Sequence, residues 1–193
     1  MEPTRERLLT VAAELFAEQG YAGTSMRKIA RAAGITQAAI YHHFASKEQL
    51  YYAAVKFLQE EKTTRVTEQL ATDLPAEERL KTLVQLLLEL LDADPHFRHI
   101  YFRELLDGDE IRLCELATNV FADLSHVIEG LMRELAPHLD SHLTMMSVAG
   151  LVFHHLEARK LSPFMPGGKS EHSELPVLAD HITTLLLKGV RTP

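Results

Sequence analysis

The chain has 193 residues, of which 46% are hydrophobic and 24% charged, a balance that is typical of soluble globular proteins and excludes a disordered chain. Its single cysteine, Cys114, excludes an internal disulfide framework, and no apolar stretch reaches the ~18–20 residues that a membrane-spanning helix needs. The net charge of −7, taken alone, argues against a nucleic-acid partner, because nucleic acids favour basic proteins.

The negative charge is unevenly distributed along the chain. Residues 1–50 contain six Lys and Arg against five Glu, a net charge of +1, whereas the other 143 residues contain 14 bases against 22 acids, a net charge of −8. No acidic residue occurs between Glu18 and Glu48, a window of 29 residues. This asymmetry predicts a small basic module joined to an acidic body, an arrangement that hints at contact with nucleic acid.

The first three predicted helices follow one another closely. Apolar residues at positions 8, 11, 12, 15 and 16 have the spacing of one helix face, and Gly20 is placed to end that helix. Ser25 can cap a second helix, with Ile29 on its buried side, and Gly34 suits the left-handed turn after it. Thr36 can cap a third helix over residues 37–44.

The remainder of the chain also has the pattern of helices. Ser46 and Gln49 form a capping box that opens a long fourth helix, which we expect to run to about residue 70. Proline and glycine then separate further predicted helices at roughly 76–91, 95–106, 109–135, 139–161 and 174–189. The ends of these helices are predicted to within ~2–4 residues. No window alternates in the manner of a strand. The sequence therefore predicts an all-α fold of about nine helices.

Residues 24–44 fit a helix-turn-helix motif inside the acid-free window. Four polar or small side chains at 37, 38, 41 and 42 form one arc of the third helix and suit a DNA groove, where Gln reads base edges and Tyr and His donate to phosphates. The starts of the second, third and fourth helices offer free backbone N–H groups to phosphates. An ordinary helical hairpin with a solvated face is the alternative. The predicted DNA-binding residues are Thr24, Ser25, Arg27, Thr36, Gln37, Ala38, Ala39, Tyr41, His42 and Lys47.

Several stretches of this segment resemble a known family. They read ELFAEQGY at 14–21, TS at 24–25, IA at 29–30, AGI at 33–35, IYHHF at 40–44 and SKEQL at 46–50. Over about residues 5–55 the pattern closely resembles the N-terminal domain of the TetR/AcrR family of bacterial transcriptional regulators. The resemblance implies a three-helix DNA-binding domain at residues 1–48 and a helical ligand-binding and dimerisation domain at residues 49–193. It also implies repression of transcription that a small-molecule inducer relieves.

The last two predicted helices carry strong apolar stripes, which either lie within one chain or form a two-fold dimer. In the dimer hypothesis the interface consists of Leu143, Met146, Leu151, Leu178, Ile182 and Leu185. A homodimer would present two recognition helices about one DNA turn apart to a palindromic double-stranded DNA operator.

The middle helices are rich in apolar residues with scattered polar insertions, as expected of a pocket for a small molecule. The candidate lining residues are Phe97, Tyr101, Arg103 and Phe121, although each of them taken singly also fits ordinary packing or surface. The inducer itself is unknown.

A helical metal-binding protein or metal-dependent enzyme is the alternative function. Two histidine pairs, His96/His99 and His138/His142, have the i,i+3 and i,i+4 spacings of metal ligands on a helix. No His-Glu-x-x-His pattern, nucleophile elbow or phosphate-cradling glycine loop accompanies them, so we predict no enzyme activity, no metal and no cofactor. Cys114 is expected to be a buried, inert thiol. The charged N-terminus lacks the apolar run of a signal peptide, which favours a cytoplasmic protein without a membrane partner.

Overall fold

The computed structural model describes residues 5–190, and every regular element among them is a helix. The prediction of an all-α fold is therefore confirmed for the described residues. The α-helices are α1 Arg5–Gly23, α2 Met26–Ala33, α3 Gln37–His43, α4 Lys47–Leu70, α5 Ala76–Ala93, α6 Pro95–Asp107, α7 Glu110–Asn119, α8 Ala122–Leu135, α9 Ser141–Ala158 and α10 Leu175–Val190.

The described part of the chain has ten α-helices and not nine, because the segment predicted as one helix over 109–135 is divided into α7 and α8. At the break, the amides of Val120 and Phe121 both donate to the carbonyl of Leu116, at 3.0 and 2.9 Å. The backbone there leaves the regular i→i−4 pattern and restarts at Ala122. Neither glycine nor proline marks this position, so the sequence offers no local signal for the break.

The connection between α9 and α10 contains two short 3₁₀ turns, Ser162–Phe164 and Ser170–Ser173. Helix α9 ends at Ala158, about one turn before the predicted end at residue 161. The Pro- and Gly-rich composition of this segment predicts a loop, and the loop is structured by these local turns.

Packing divides the described residues into two units, of which the first comprises residues 5–62 together with Asp94–Ala122. In the core of this unit, α1 packs against α6. Leu8, Leu9 and Phe16 of α1 are at most 2% exposed. The ring of Phe16 meets that of Tyr51 edge-on, with centroids 4.8 Å apart, and Tyr51 is 1% exposed. This unit contains the whole helix-turn-helix segment, and α6 and α7 belong to it.

The second unit comprises residues 63–93 and 123–190. Helix α5 packs against both α9 and α10, and Leu83, Val84 and Leu88 of α5 are fully buried there. The predicted division of the chain at residue 48 stays a prediction, because the two units reflect packing and not function. Within residues 5–190, no helix is both long and apolar enough to cross a membrane.

Candidate DNA-binding surface

Three local features define the ends of α2 and the start of α3. The Ser25 hydroxyl accepts the amide of Lys28 at 3.3 Å, and the Thr36 hydroxyl accepts the amide of Ala39 at 3.1 Å. Gly34 lies between these caps with φ 71°, in the left-handed region where a Cβ is disfavoured. The three predicted caps are therefore in place, and the last two, Gly34 and Thr36, form the turn from which α3 begins.

Helix α3 has one buried anchor and one open face. Ile40 is fully buried, whereas Gln37, Ala38, Tyr41 and His42 are exposed, with Tyr41 47% exposed. The exposed side chains form the predicted arc, with Ala39 half-buried at its edge and Ser25, Arg27 and Thr36 exposed beside it. An amide, a methyl group, a phenol and an imidazole on one face can together contact base edges and phosphates in a major groove.

The start of α4 completes this surface. The Ser46 hydroxyl accepts the amide of Gln49 at 3.2 Å, and the Gln49 side chain accepts the amide of Ala45 at 3.0 Å, which is the predicted capping box shifted by one residue. The Lys47 ammonium lies over the ring of Tyr21, 4.1 Å from its centroid. Partial burial, with the nearby Arg112 cation, lowers the pKa of Lys47 from its ordinary value.

Thr24 does not belong to the exposed surface. Its side chain is 2% exposed, and its hydroxyl donates to the carbonyls of Leu15 and Gly20 at 3.0 and 2.9 Å. The Thr24 hydroxyl thus lies beside the break in α1 at Gly20, whose φ of 73° and ψ of 170° are not helical. Thr24 was predicted to contact DNA, but its buried side chain instead binds carbonyls of α1.

Thr24→Val is expected to lower the free energy of unfolding by about 1–3 kcal/mol, because two partly buried carbonyls lose the hydroxyl proton that they share while the shape is kept. Urea unfolding followed by circular dichroism measures this change. Thr24→Ser, which keeps the hydroxyl, should lose distinctly less. DNA affinity of the folded Thr24→Val protein should stay near that of the wild type, and a large loss of affinity with unchanged stability would return Thr24 to the DNA surface.

Arg103, predicted to line a ligand pocket, instead caps α1. From α6 its guanidinium donates to the carbonyls of Ala17 and Glu18 at 3.2 and 3.0 Å. These are the carbonyls left unpaired by the break at Gly20. The contact spans more than 80 positions of sequence, so no local pattern could have predicted it. In this structure the Arg103 guanidinium is hydrogen-bonded to α1, and its role in binding a ligand stays a prediction.

A buried polar cluster at the junction of α4, α6 and α7 has no counterpart among the predicted residues. Glu104 is 6% exposed and accepts the Tyr51 hydroxyl at 2.8 Å and Nε of Arg112 at 3.2 Å. The Arg112 guanidinium also lies over the Tyr21 ring, 4.6 Å from its centroid. Burial, together with the Glu104 carboxylate, raises the pKa of Tyr51, so its hydroxyl stays a donor. Tyr21 thus lies against both Arg112 and Lys47, at the start of α4.

The other three candidate pocket residues do come together. The ring of Phe121 meets those of Phe97 and Tyr101 at tilted or edge-on angles, with both centroid distances 6.1 Å. Phe97 is 4% exposed, and burial raises the pKa of Tyr101. The Lys62 ammonium lies 4.8 Å from the centroid of the Phe97 ring and pairs with Asp94 at 2.6 Å. The aromatic residues are packed together, and their role in binding a ligand stays a prediction.

The predicted dimer residues divide into two groups. Leu143, Met146 and Leu185 are 65%, 48% and 48% exposed, and Leu151 is half-buried. Leu178 and Ile182 are only 6% and 0% exposed, because this side of α10 packs inside its own unit against α5. Leu178 and Ile182 were predicted to lie in the dimer interface, but they belong to the core of their own unit. A shallow groove on the open side of α10 is lined by residues that the sequence pattern does not single out, namely Pro176, Val177, Asp180, His181 and Thr184.

The metal alternative gains no support from residues 5–190, where no group of three or more His, Cys, Asp or Glu side chains could hold a metal ion. Cys114 is exposed, contrary to the expectation of a buried thiol, because it lies on the open side of α7.

Comparison with known proteins identifies related sequences. Residues 8–54 match the family described as bacterial regulatory proteins, tetR family. A repressor of Rhodococcus jostii, HTH-type transcriptional repressor KstR2, is 37% identical over 101 residues, which are 52% of this chain and 50% of the relative. The HTH-type transcriptional activator FasR of Mycolicibacterium smegmatis is 27% identical over 150 residues, 77% of this chain and 67% of the relative. The chain thus spans about half the length of the Rhodococcus relative it matches.

Solved structures share the fold over nearly the whole chain. The regulator FadR from Bacillus subtilis, in complex with stearoyl-CoA, superposes with a TM-score of 0.78 at 20% identity and covers 96% of this chain and 98% of its own. FadR from Bacillus halodurans gives a TM-score of 0.78 at 22% identity, with 96% and 99% covered. At these identities the likeness concerns the fold alone.

Proposed function

We propose that this chain, whose residues 8–54 match the bacterial regulatory proteins of the tetR family, is a member of that family and a sequence-specific DNA-binding regulator of transcription. The observation that carries the proposal is the exposed arc of α3, held by a buried Ile40 and by the caps at Ser25 and Thr36. The acid-free window over this motif supports it, because acidic side chains near the helix would repel phosphates. We place its action in the cytoplasm, with the DNA.

In this proposal α3 lies in the major groove. Gln37 reads a base edge, Ala38 allows close approach, and Tyr41 and His42 donate to phosphates. Lys47 and the free backbone amides at the starts of α2 and α4 hold the flanking phosphates, with Ser25, Arg27 and Thr36 beside them.

Binding to DNA from the region upstream of its own gene tests the proposal. Fluorescence anisotropy with a labelled duplex, in the presence of excess unrelated competitor and at stated salt concentrations, should give a sequence-specific complex. If the protein bound upstream and unrelated duplexes equally at every salt concentration, the proposed function would be wrong.

Gln37→Ala and Lys47→Ala are expected to weaken binding in different ways. Gln37→Ala should change which bases are preferred within the operator, because it removes a base-reading amide, at a cost of about 1–3 kcal/mol for the preferred site. Lys47→Ala should weaken binding evenly across sequences and reduce the slope of log K against log salt by about one. Anisotropy titrations on the operator and on single-base variants distinguish the two. An unchanged slope for Lys47→Ala would remove Lys47 from the phosphate contacts.

The proposed regulator is a homodimer formed through α9 and α10. Exposed apolar side chains on these two helices support this, since Leu143, Met146 and Leu185 would otherwise face water. A two-fold dimer places two α3 helices on the half-sites of a palindromic operator.

The proposed regulator is a repressor that a small molecule releases. The first of the relatives is itself named a repressor, and the solved FadR structure from Bacillus subtilis contains stearoyl-CoA, so long-chain acyl-CoA thioesters are the first ligands to try. Ligand and DNA would favour different forms of the dimer and would therefore weaken each other's binding reciprocally. The candidate lining is Phe97, Tyr101 and Phe121.

Thermal unfolding with stearoyl-CoA, and with free coenzyme A as the control, tests this part of the proposal. A ligand of the native state raises the unfolding temperature by mass action and should also release the labelled operator. Stabilisation by neither molecule would exclude this ligand class and leave the DNA-binding proposal standing.

A further inference from the structure

Arg5 lies at the first described position of α1, yet its side chain reaches the end of the recognition helix. Its guanidinium carbon lies 5.8 Å from the centroid of the Phe44 ring, on which it can rest by a cation–π contact. Phe44 directly follows α3 and is 5% exposed, so it provides a fixed platform. The Arg5 cation is therefore held beside the last residues of α3, and Lys47 opens α4 only three positions after Phe44.

The position of Arg5 on α1 explains this direction. Leu8, Leu9 and Ala12 follow it at i+3, i+4 and i+7 and are buried, so Arg5 continues the inward side of the helix. Arg7, two residues later, is turned by about 200° and is exposed on the other side. The two arginines have the same charge and are two residues apart, but their side chains leave α1 in different directions.

The Arg5 cation is not neutralised by any side chain that the structure describes. Its Phe44 contact is its one interaction among residues 5–190, and the segment that contains Phe44 has no acid between Glu18 and Glu48. A guanidinium in this position can bind a phosphate with two parallel hydrogen bonds.

We propose that Arg5 contacts a backbone phosphate of the operator, just beyond the bases that face α3. This inference rests on the proposed DNA-binding function. The Arg5 contact would add one cation to the DNA-binding surface of each protomer, outside the helix-turn-helix motif. Part of the affinity for DNA would then come from the start of α1.

Arg5→Ala, with Arg7→Ala as its matched control, tests the inference in the full-length protein. Anisotropy titrations of a labelled operator duplex at several salt concentrations should show Arg5→Ala weakened about tenfold, with the salt slope reduced by about one for each phosphate that is no longer neutralised. Arg7→Ala should bind within about twofold of the wild type. Arg5→Lys should keep most of the slope, because an ammonium still neutralises a phosphate.

The outcomes separate this inference from the function on which it rests. A wild-type protein that binds no operator overturns both. Specific binding by the wild type with equal affinity and slope for Arg5→Ala overturns the Arg5 contact alone. Equal reductions of affinity in Arg5→Ala and Arg7→Ala also overturn it, because they would show a general effect of charge.

Discussion

Glu104→Ala is expected to lower the free energy of unfolding by about 3 kcal/mol, toward the lower end of the values for a broken buried ion pair. The variant leaves the hydroxyl of Tyr51 and Nε of Arg112 without their acceptor, in a place where Glu104 is 6% and Tyr51 1% exposed. Arg112 keeps its second partner, Asp109, which limits the loss of stability. Urea unfolding followed by circular dichroism gives the value.

Two control variants sharpen the interpretation of that result. Glu104→Gln keeps the shape and an acceptor oxygen for Tyr51 but removes the charge opposite Arg112, so its effect should be intermediate. Glu115→Ala on the exposed side of α7 should change stability by less than about 0.5 kcal/mol. A decrease of less than about 0.5 kcal/mol for Glu104→Ala would show that the cluster does not stabilise the first unit.

Met146→Arg is expected to convert the proposed dimer into monomers. In a two-fold interface one substitution places two guanidinium groups in an apolar surface, and burying them without partners should raise the dimer dissociation constant at least about 100-fold. Met146 is 48% exposed, so the isolated protomer keeps its fold. Sedimentation velocity at micromolar concentration reports the mass. Affinity for a palindromic operator should fall along with the dimer.

Leu74→Arg is the matched control for this experiment. Leu74 lies between α4 and α5 and is 47% exposed, which is nearly the exposure of Met146. The same charge introduced there should leave the mass and the operator affinity unchanged. A Met146→Arg protein that stays dimeric would place the dimer interface elsewhere than on α9.

The local features of the fold could be predicted from the sequence because short-range chemistry decides them. Ser25, Thr36 and Ser46 cap helices through amides three residues away, and Gly20 and Gly34 adopt positive φ where a helix has to end. The exposed arc of α3 follows from helical periodicity around one buried residue.

The features that the sequence misses arise mostly where distant residues decide the outcome. Periodicity identifies the apolar side of α10 but not its partner, so it assigns Leu178 and Ile182 to a dimer although α5 covers them. The contact of Arg103 with the carbonyls of Ala17 and Glu18 could not be predicted, because nothing near Arg103 in the sequence reveals these carbonyls. The assignment of Thr24 to DNA has a local cause instead, since its acceptors, the carbonyls of Leu15 and Gly20, lie nine and four positions earlier in the chain.

The break at Gly20 also determines how the protein can be dissected. Side chains from outside α1 donate to carbonyls around the break and at the end of the helix: Thr24 to Gly20, Arg103 to Ala17 and Lys28 to Gly23. A fragment that ended within α4 would keep the first two donors and lack Arg103, together with the Glu104 acceptor of Tyr51. The packing unit that contains α3 is therefore discontinuous in sequence, with residues 5–62 completed by Asp94–Ala122. A graft of residues 5–50 onto another protein would lack the guanidinium of Arg103 and would need a replacement for it.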